Sequence, residues 1–133
     1  MRNKEKYSDA ASSELLSATG FLNFIGIEIN PALVIKKCRV PELVFNRALV
    51  VHYLSATGYS LVRMGEVINR DHSSALYLKA KYPQTEHAKR NGFSALTSKI
   101  DKYLTKNAVN LKIEYHKKQA DYHIKEALKL IQQ

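Results

Sequence analysis

Three prolines constrain this chain more than any other residues. They stand at positions 31, 41 and 83. Proline locks its own φ and has no N–H to give, so it is tolerated in the first turn of a helix and stops a helix that runs into it. Asn30-Pro31 therefore reads as an N-cap followed by the first helical residue, and predicts a short helix over 31–37. Pro41 suits another first turn and predicts a helix over 42–56. Pro83 stops a helix at the residue before it. Only five glycines accompany these prolines, so the stretches between the marks have few places to break.

Between the marks, apolar residues recur at three- and four-residue steps, the period of a helix. From Asp9 the first run carries Ala10, Leu15, Leu16, Phe21, Phe24 and Ile25, with Ala11 and Leu22 beside them. The run over 42–56 carries Leu43, Val44, Ala48, Val50, Val51 and Leu54, apolar around most of the circumference, as a central helix would be. Thr57-Gly58 can end it, with glycine in the left-handed cap conformation. Ser60 is the next N-cap, for a helix over 61–68 with Leu61, Met64, Val67 and Ile68 on one side. Asn69-Arg70 makes a tight turn. Asp71 caps a helix over 72–82 whose inward face is Ala75, Leu78 and Tyr82. Residues 84–92 read as a polar connection closed by Asn91-Gly92. Helices follow over 93–106 and 109–132. The last has a near-heptad stripe of Ile113, Ala120, Ile124, Ala127, Leu128 and Ile131, interrupted by Lys117, and fits either packing within the chain or against a second copy. The strings LSATGF at 16–21 and LSATGY at 54–59 are too short for a repeat. They are expected to share one helix-ending chemistry.

At 133 residues the chain suits one domain with a core of its own. Its formal charge of +9 favours polyanionic partners, nucleic acid first among them. Cys38 is the only cysteine, which excludes an intramolecular disulfide and the usual Cys-based zinc sites and suits a reducing cytoplasm. No apolar run approaches the length of a membrane span, so no membrane partner is expected. The histidines, 52, 72, 87, 116 and 123, are never three or four residues apart. No helical face offers a metal a ready pair, and no cofactor is expected.

The stretch Arg70-Asp71-His72-Ser73-Ser74 concentrates reactive side chains. Neighbours on a helix point about 100° apart and do not converge as a catalytic triad does. The chain also has no nucleophile elbow, phosphate loop or His-Glu-x-x-His, so it is not expected to be an enzyme. A short helix, a tight turn and a second helix are the parts of a helix-turn-helix, whose second helix puts its first residues on base edges in the major groove. Asp71, His72, Ser73 and Ser74 would be those residues. Asp accepts from the cytosine amino group, His donates or accepts, and Ser lets the backbone come close. Arg70 can clamp a phosphate, and Lys79 and Lys81 continue the positive charge. The plainer reading is a capped helix with a solvated face.

The run SLVRMGEVINRDHSSALYLKAKY, residues 60–82, resembles the C-terminal helix-turn-helix domain of the bacterial replication initiator DnaA. The Arg-Asp-His-Ser-Ser motif after a Met-Gly-Glu helix carries the likeness. NPALVIKKCR and ELVFNRALVVHYL resemble that family's short helix with basic loop and its central helix. The resemblance spans about 65 residues, from Phe24 to about Arg90. It implies that Asp71, His72 and Ser73 contact bases. It also implies that Ser74 and Arg70 touch phosphate or support the helix start, that Arg39 enters the adjoining minor groove, and that Arg47 contacts the DNA backbone. Ser73 lacks the methyl group of the family's usual threonine, the turn is one residue shorter, and no nucleotide-binding loop occurs in the chain.

The expected architecture is all-α, with a flexible tail over 1–8, a DnaA-like helix-turn-helix domain over 9–92 and a helical extension over 93–133. The expected partner is double-stranded DNA, read sequence-specifically in control of replication or transcription in a bacterial cytoplasm or nucleoid. The candidate contacts are Arg39, Arg47, Arg63, Arg70, Asp71, His72, Ser73, Ser74 and Lys79. Lys36, Lys37, Lys81, Lys89 and Arg90 extend the footprint. The alternative is a helical interaction or oligomerisation module, with a homo-oligomer or protein partner held through 93–133 and DNA binding weak or lost.

Overall fold

The computed structural model describes residues 7–106. The chain divides into two compact units after Asp101. This boundary lies nine residues beyond the expected one at 92, and Phe93 and Ile100 are buried in the first unit. The predicted helix over 109–132 lies outside the described residues. Among those described, every regular element is helical. No helix among them is long and apolar enough to cross a membrane.

Helix α1 spans Asp9–Phe24. The Ser8 hydroxyl accepts from the Ala11 N–H at 3.0 Å, satisfying an otherwise orphaned donor. The buried face is Ala11, Leu15, Ala18, Thr19 and Leu22; of the expected stripe Leu15 and Ile25 are buried, as are Ala11 and Leu22 named beside it, and the rest is not. Leu16 is 57% and Phe24 82% exposed, and Ala10 is exposed. Two alanines let α1 approach the core closely, and Thr19 is buried without cost because its hydroxyl donates to the Leu15 carbonyl at 3.0 Å. Two residues of the stretch read as a tail, Tyr7 and Ser8, are among those described. Ser8 is the cap, and the Tyr7 hydroxyl reaches the carbonyls of Ala11 and Val67.

Helix α2, Pro31–Val34, starts as predicted, with the Asn30 side chain accepting from the Ala32 N–H at 3.0 Å. It stops three residues short of the predicted end. Helix α3, Pro41–Ala56, buries Arg47, Ala48, Leu49, Val50, Val51 and Leu54 and touches α1, α2, α4 and α5. It is the central helix that its all-round apolar pattern requires.

Helix α4, Leu61–Ile68, and helix α5, His72–Ala80, pack against each other and against α3. A 3-10 turn, Tyr82–Gln84, carries Pro83, and a short helix α6, Glu86–Arg90, stands where the sequence reads as a polar connection. The Thr85 hydroxyl caps α6 by accepting from the Ala88 N–H at 3.2 Å. Residues 93–106 form α7. Phe45, Tyr82, His87 and Phe93 make a cluster of tilted and edge-on rings, centroids 5.4–6.5 Å apart. Tyr82 Oη and His87 Nδ1 hydrogen-bond at 2.8 Å within it. His52 Nε2 meets Asp101 Oδ1 at 2.7 Å and ties α3 to α7. Of the predicted inward faces, Met64, Val67 and Ile68 on α4 and Ala75, Leu78 and Tyr82 beyond the turn are buried, while Leu61 is half-buried.

The two LSATG strings end differently. The first runs through α1, with Gly20 helical. The second ends α3, with Gly58 at φ 97°. The Tyr59 N–H then returns to the Leu54 carbonyl at 3.0 Å and the Gly58 N–H to the Ser55 carbonyl at 3.1 Å, the paired bonds of a left-handed helix end. The residues beyond each string decide its fate. Leu22 and Ile25 supply another turn of buried surface to α1, whereas Ser60 begins α4 by accepting from the Arg63 N–H.

Candidate nucleic-acid interface

The turn between α4 and α5 is built from three local choices. Asn69 takes φ 61°, ψ 45°, the left-handed conformation that asparagine tolerates better than most residues. The Arg70 N–H then reaches the Gly65 carbonyl at 2.8 Å and the Asn69 N–H the Glu66 carbonyl at 3.2 Å, closing the end of α4. The third choice is Gly65. A Cβ there would lie 2.7 Å from the Arg70 carbonyl oxygen and 3.0 Å from the Asp71 carbonyl carbon and oxygen. The turn folds directly over a residue that has no side chain.

Asp71 starts α5, its Oδ1 accepting from the Ser74 N–H at 2.9 Å. That hydrogen bond, before any other influence, holds its carboxyl below the usual range, so Asp71 is an anion with acceptor capacity left over. Asp71, His72 and Ser73 are exposed and Ser74 is half-buried. Further along the outer face stand Leu76, 48% exposed, Tyr77, 45% exposed, and the exposed Lys79. The tip of α5 is thus a set of short hydrogen-bonding groups on a firmly capped helix start, followed by a cation.

The loop after α2 comes to this tip from 32 to 34 residues away in sequence. Lys37 Nζ donates to the Asn69 carbonyl at 2.9 Å. Arg70 Nη1 donates to the same carbonyl at 3.0 Å, while its Nη2 donates to the Lys36 carbonyl at 2.7 Å. Lys36, Lys37 and Arg39 are exposed. Burial, and after it the charge of Arg39, pull the Arg70 guanidinium below its ordinary value, and Arg39 follows three residues after the carbonyl that Arg70 holds. The structure therefore brings together Arg39, Arg70, Asp71, His72, Ser73 and Ser74.

Two other expected contacts stand elsewhere. Arg47, read as touching the DNA backbone, is 3% exposed. Its Nε donates to the Val34 carbonyl at 2.7 Å and its Nη2 to the Lys36 carbonyl. Its guanidinium is spent on the end of α2, where several carbonyls lack helical partners, and this also explains why α2 is short. Arg63 is half-buried and paired with two carboxylates, Glu14 across on α1 and Glu66 at 2.6 Å on its own helix. Its charge is compensated locally. Lys79 is exposed about two turns along α5 from its start. The role of the Lys36 carbonyl has no sequence signal, because it is a backbone atom of an ordinary loop residue. The Lys37–Asn69 contact has none either, since its partners lie 32 residues apart.

Among the described residues, no three of His, Cys, Asp and Glu gather as a metal-ligand set. Comparisons with protein-family models, with curated proteins and with solved structures found no match.

Proposed function

We propose that this chain binds double-stranded DNA in the manner of a DnaA-like helix-turn-helix, with the start of α5 in the major groove and the 36–39 loop toward the neighbouring minor groove. The observation that carries the reading is the tie between the 36–39 loop, which bears the exposed Arg39, and the turn before the capped, exposed Asp71-His72-Ser73 start of α5, made by Arg70 on the Lys36 carbonyl and Lys37 on the Asn69 carbonyl. Short polar side chains at a helix start suit base edges, and cations on both sides suit the flanking phosphates. The formal charge of +9 supplies the long-range attraction. On this reading Asp71, His72, Ser73 and the Arg39 arm supply sequence preference, and Lys36, Lys37, Arg70 and Lys79 supply affinity. The biological role is control of replication or transcription.

The test is fluorescence-anisotropy binding to a duplex carrying the box that DnaA proteins bind and to a scrambled duplex, each at two salt concentrations. Tighter binding to the box, with the gap surviving at high salt, is expected. His72→Ala should then weaken binding to the box by about 1–3 kcal/mol and leave the scrambled duplex almost unchanged. Equal binding to both duplexes that fades with salt would reduce the site to a basic surface. It would turn attention to the partner-binding alternative.

A further inference from the structure

We infer that Arg47 and Arg70 are positioning residues that clamp the Lys36 carbonyl, so that the Arg39 loop and the start of α5 meet DNA as one preassembled surface. The inference rests on the DNA-binding reading and concerns how its two contact elements are coupled.

The Lys36 carbonyl is the hub. It accepts from the Cys38 N–H at 2.8 Å, from Arg70 Nη2 at 2.7 Å and from Arg47 Nη2. Three donors on an oxygen with two lone pairs fix the carbonyl from three sides: its own loop, the α4–α5 turn, and α3. Arg47 also holds the Val34 carbonyl, and the Asn69 side chain reaches the Ile35 carbonyl at 3.5 Å. Every carbonyl from 34 to 36 is thereby addressed by a side chain from another part of the fold. Lys37 returns the link by donating to the Asn69 carbonyl. Arg39 follows three residues after the hub, so its starting point is set relative to Asp71 by hydrogen bonds and not by the loop's own stiffness.

This matters because a loop that must be ordered on binding loses affinity to ordering, whereas a preorganised one does not. It also sets the spacing between the two grooves that the protein addresses. Arg47 is the clean probe. At 3% exposure it has no surface for a ligand, so any change in which bases are preferred must act through the loop.

The experiment uses the full chain and the duplex it selects from a random pool. Each A·T pair of that duplex is replaced in turn by G·C and by inosine·C. Inosine·C keeps the minor-groove pattern of A·T but shows the major-groove pattern of G·C. Minor-groove positions therefore tolerate inosine and reject guanine, whose amino group fills that groove, while major-groove positions reject both. A read position carries at least about fivefold preference in the parent chain. Arg39→Ala should erase the preference at the minor-groove positions. Arg47→Met should erase it at the same positions while the major-groove positions keep theirs. A loss of both classes together, or of neither, overturns the clamp. A parent chain with major-groove positions only also overturns it, yet leaves the DNA reading standing. A parent that selects no sequence overturns the reading itself. If Arg47→Met does not fold, Arg47→Lys decides on the same criteria, since an ammonium cannot fork between the Val34 and Lys36 carbonyls as a guanidinium does.

Discussion

Replacing Gly65 by alanine tests the tightest joint in the molecule. Ordinarily the substitution is favourable, because alanine in a helix interior is better than glycine by about 1 kcal/mol. Here the added Cβ would sit 2.7 Å from the Arg70 carbonyl oxygen, against about 3.4 Å for ordinary contact, with the Asp71 carbonyl at 3.0 Å behind it. The obstructing atoms are backbone, so no side chain can swing away. The turn would have to retreat by about 0.7 Å (3.4 less 2.7), stretching the 2.8 Å bond from the Arg70 N–H to the Gly65 carbonyl. Overpacking of this kind costs about 1–3 kcal/mol. A contact this short against backbone belongs in the upper half of that range, about 2–3 kcal/mol, so after the propensity gain of about 1 kcal/mol the net effect is a loss of about 1–2 kcal/mol, or roughly 5–15 °C in Tm for a domain near 100 residues. Gly20→Ala is the control. Gly20 is helical, and a Cβ there meets nothing within 4 Å, so that substitution should stabilise by about 0.5–1 kcal/mol. Urea denaturation of the two variants beside the parent gives both signs in one experiment. A Gly65→Ala protein as stable as the parent, or more stable, would refute the close approach of the turn to α4.

Three further outcomes are expected. Asn69→Ala should cost about 1 kcal/mol because a Cβ-bearing residue without a local hydrogen-bonding side chain must stay left-handed, whereas Asn69→Gly should be nearly neutral; denaturant midpoints distinguish them. Burial holds the Tyr7 hydroxyl protonated, its pKa pushed up to about 12 from 10.0. The folded state therefore binds more protons than the unfolded state between those values, so stability falls as pH rises from 10 toward 12. Tyr7→Phe should flatten this fall, as thermal melts over that range would reveal. On DNA, Lys79→Ala should weaken all sequences alike and lower the salt slope by about one. Arg63→Ala should change the slope less, because Glu14 and Glu66 already neutralise its charge; titrations at several salt concentrations separate the two.

Much of the helical layout was legible because helix starts are local chemistry. Asn30-Pro31, Pro41, Ser60 and Asp71 each lie beside the N–H groups they satisfy or leave out, and helices begin at all four. The inward residues of α4 and α5 were legible for the same reason, since a face is a matter of spacing. Helix α1 was read only in part. Leu15, Leu22 and Ile25 are buried, but the core takes Ala11, Ala18 and Thr19 with them and leaves Leu16 and Phe24 in water. Helix α6 was missed because its five residues bury only Ala88, too little to give a periodic signal.

The arginines separate the two kinds of information most clearly. Sequence alone determined that residues 36–90 are rich in cations, that Asp71 caps a helix and that Arg39, Arg47, Arg63 and Arg70 are available. It assigned all four arginines to the same surface, because apart from Glu66 beside Arg63 the partners that set them apart are distant in sequence. Tertiary structure decided that Arg47 is buried on the end of α2 and Arg63 is paired with carboxylates. It also decided that Arg70 ties the turn to the loop and that Arg39 is left exposed beside it. The physical reason is reach. A capping hydrogen bond closes within three or four residues and is written locally, whereas a guanidinium on a long, flexible stem takes its partners from whatever the packed core brings near. Beside the local Glu66 and Asn69 carbonyl, the partners here lie 11 to 49 residues away.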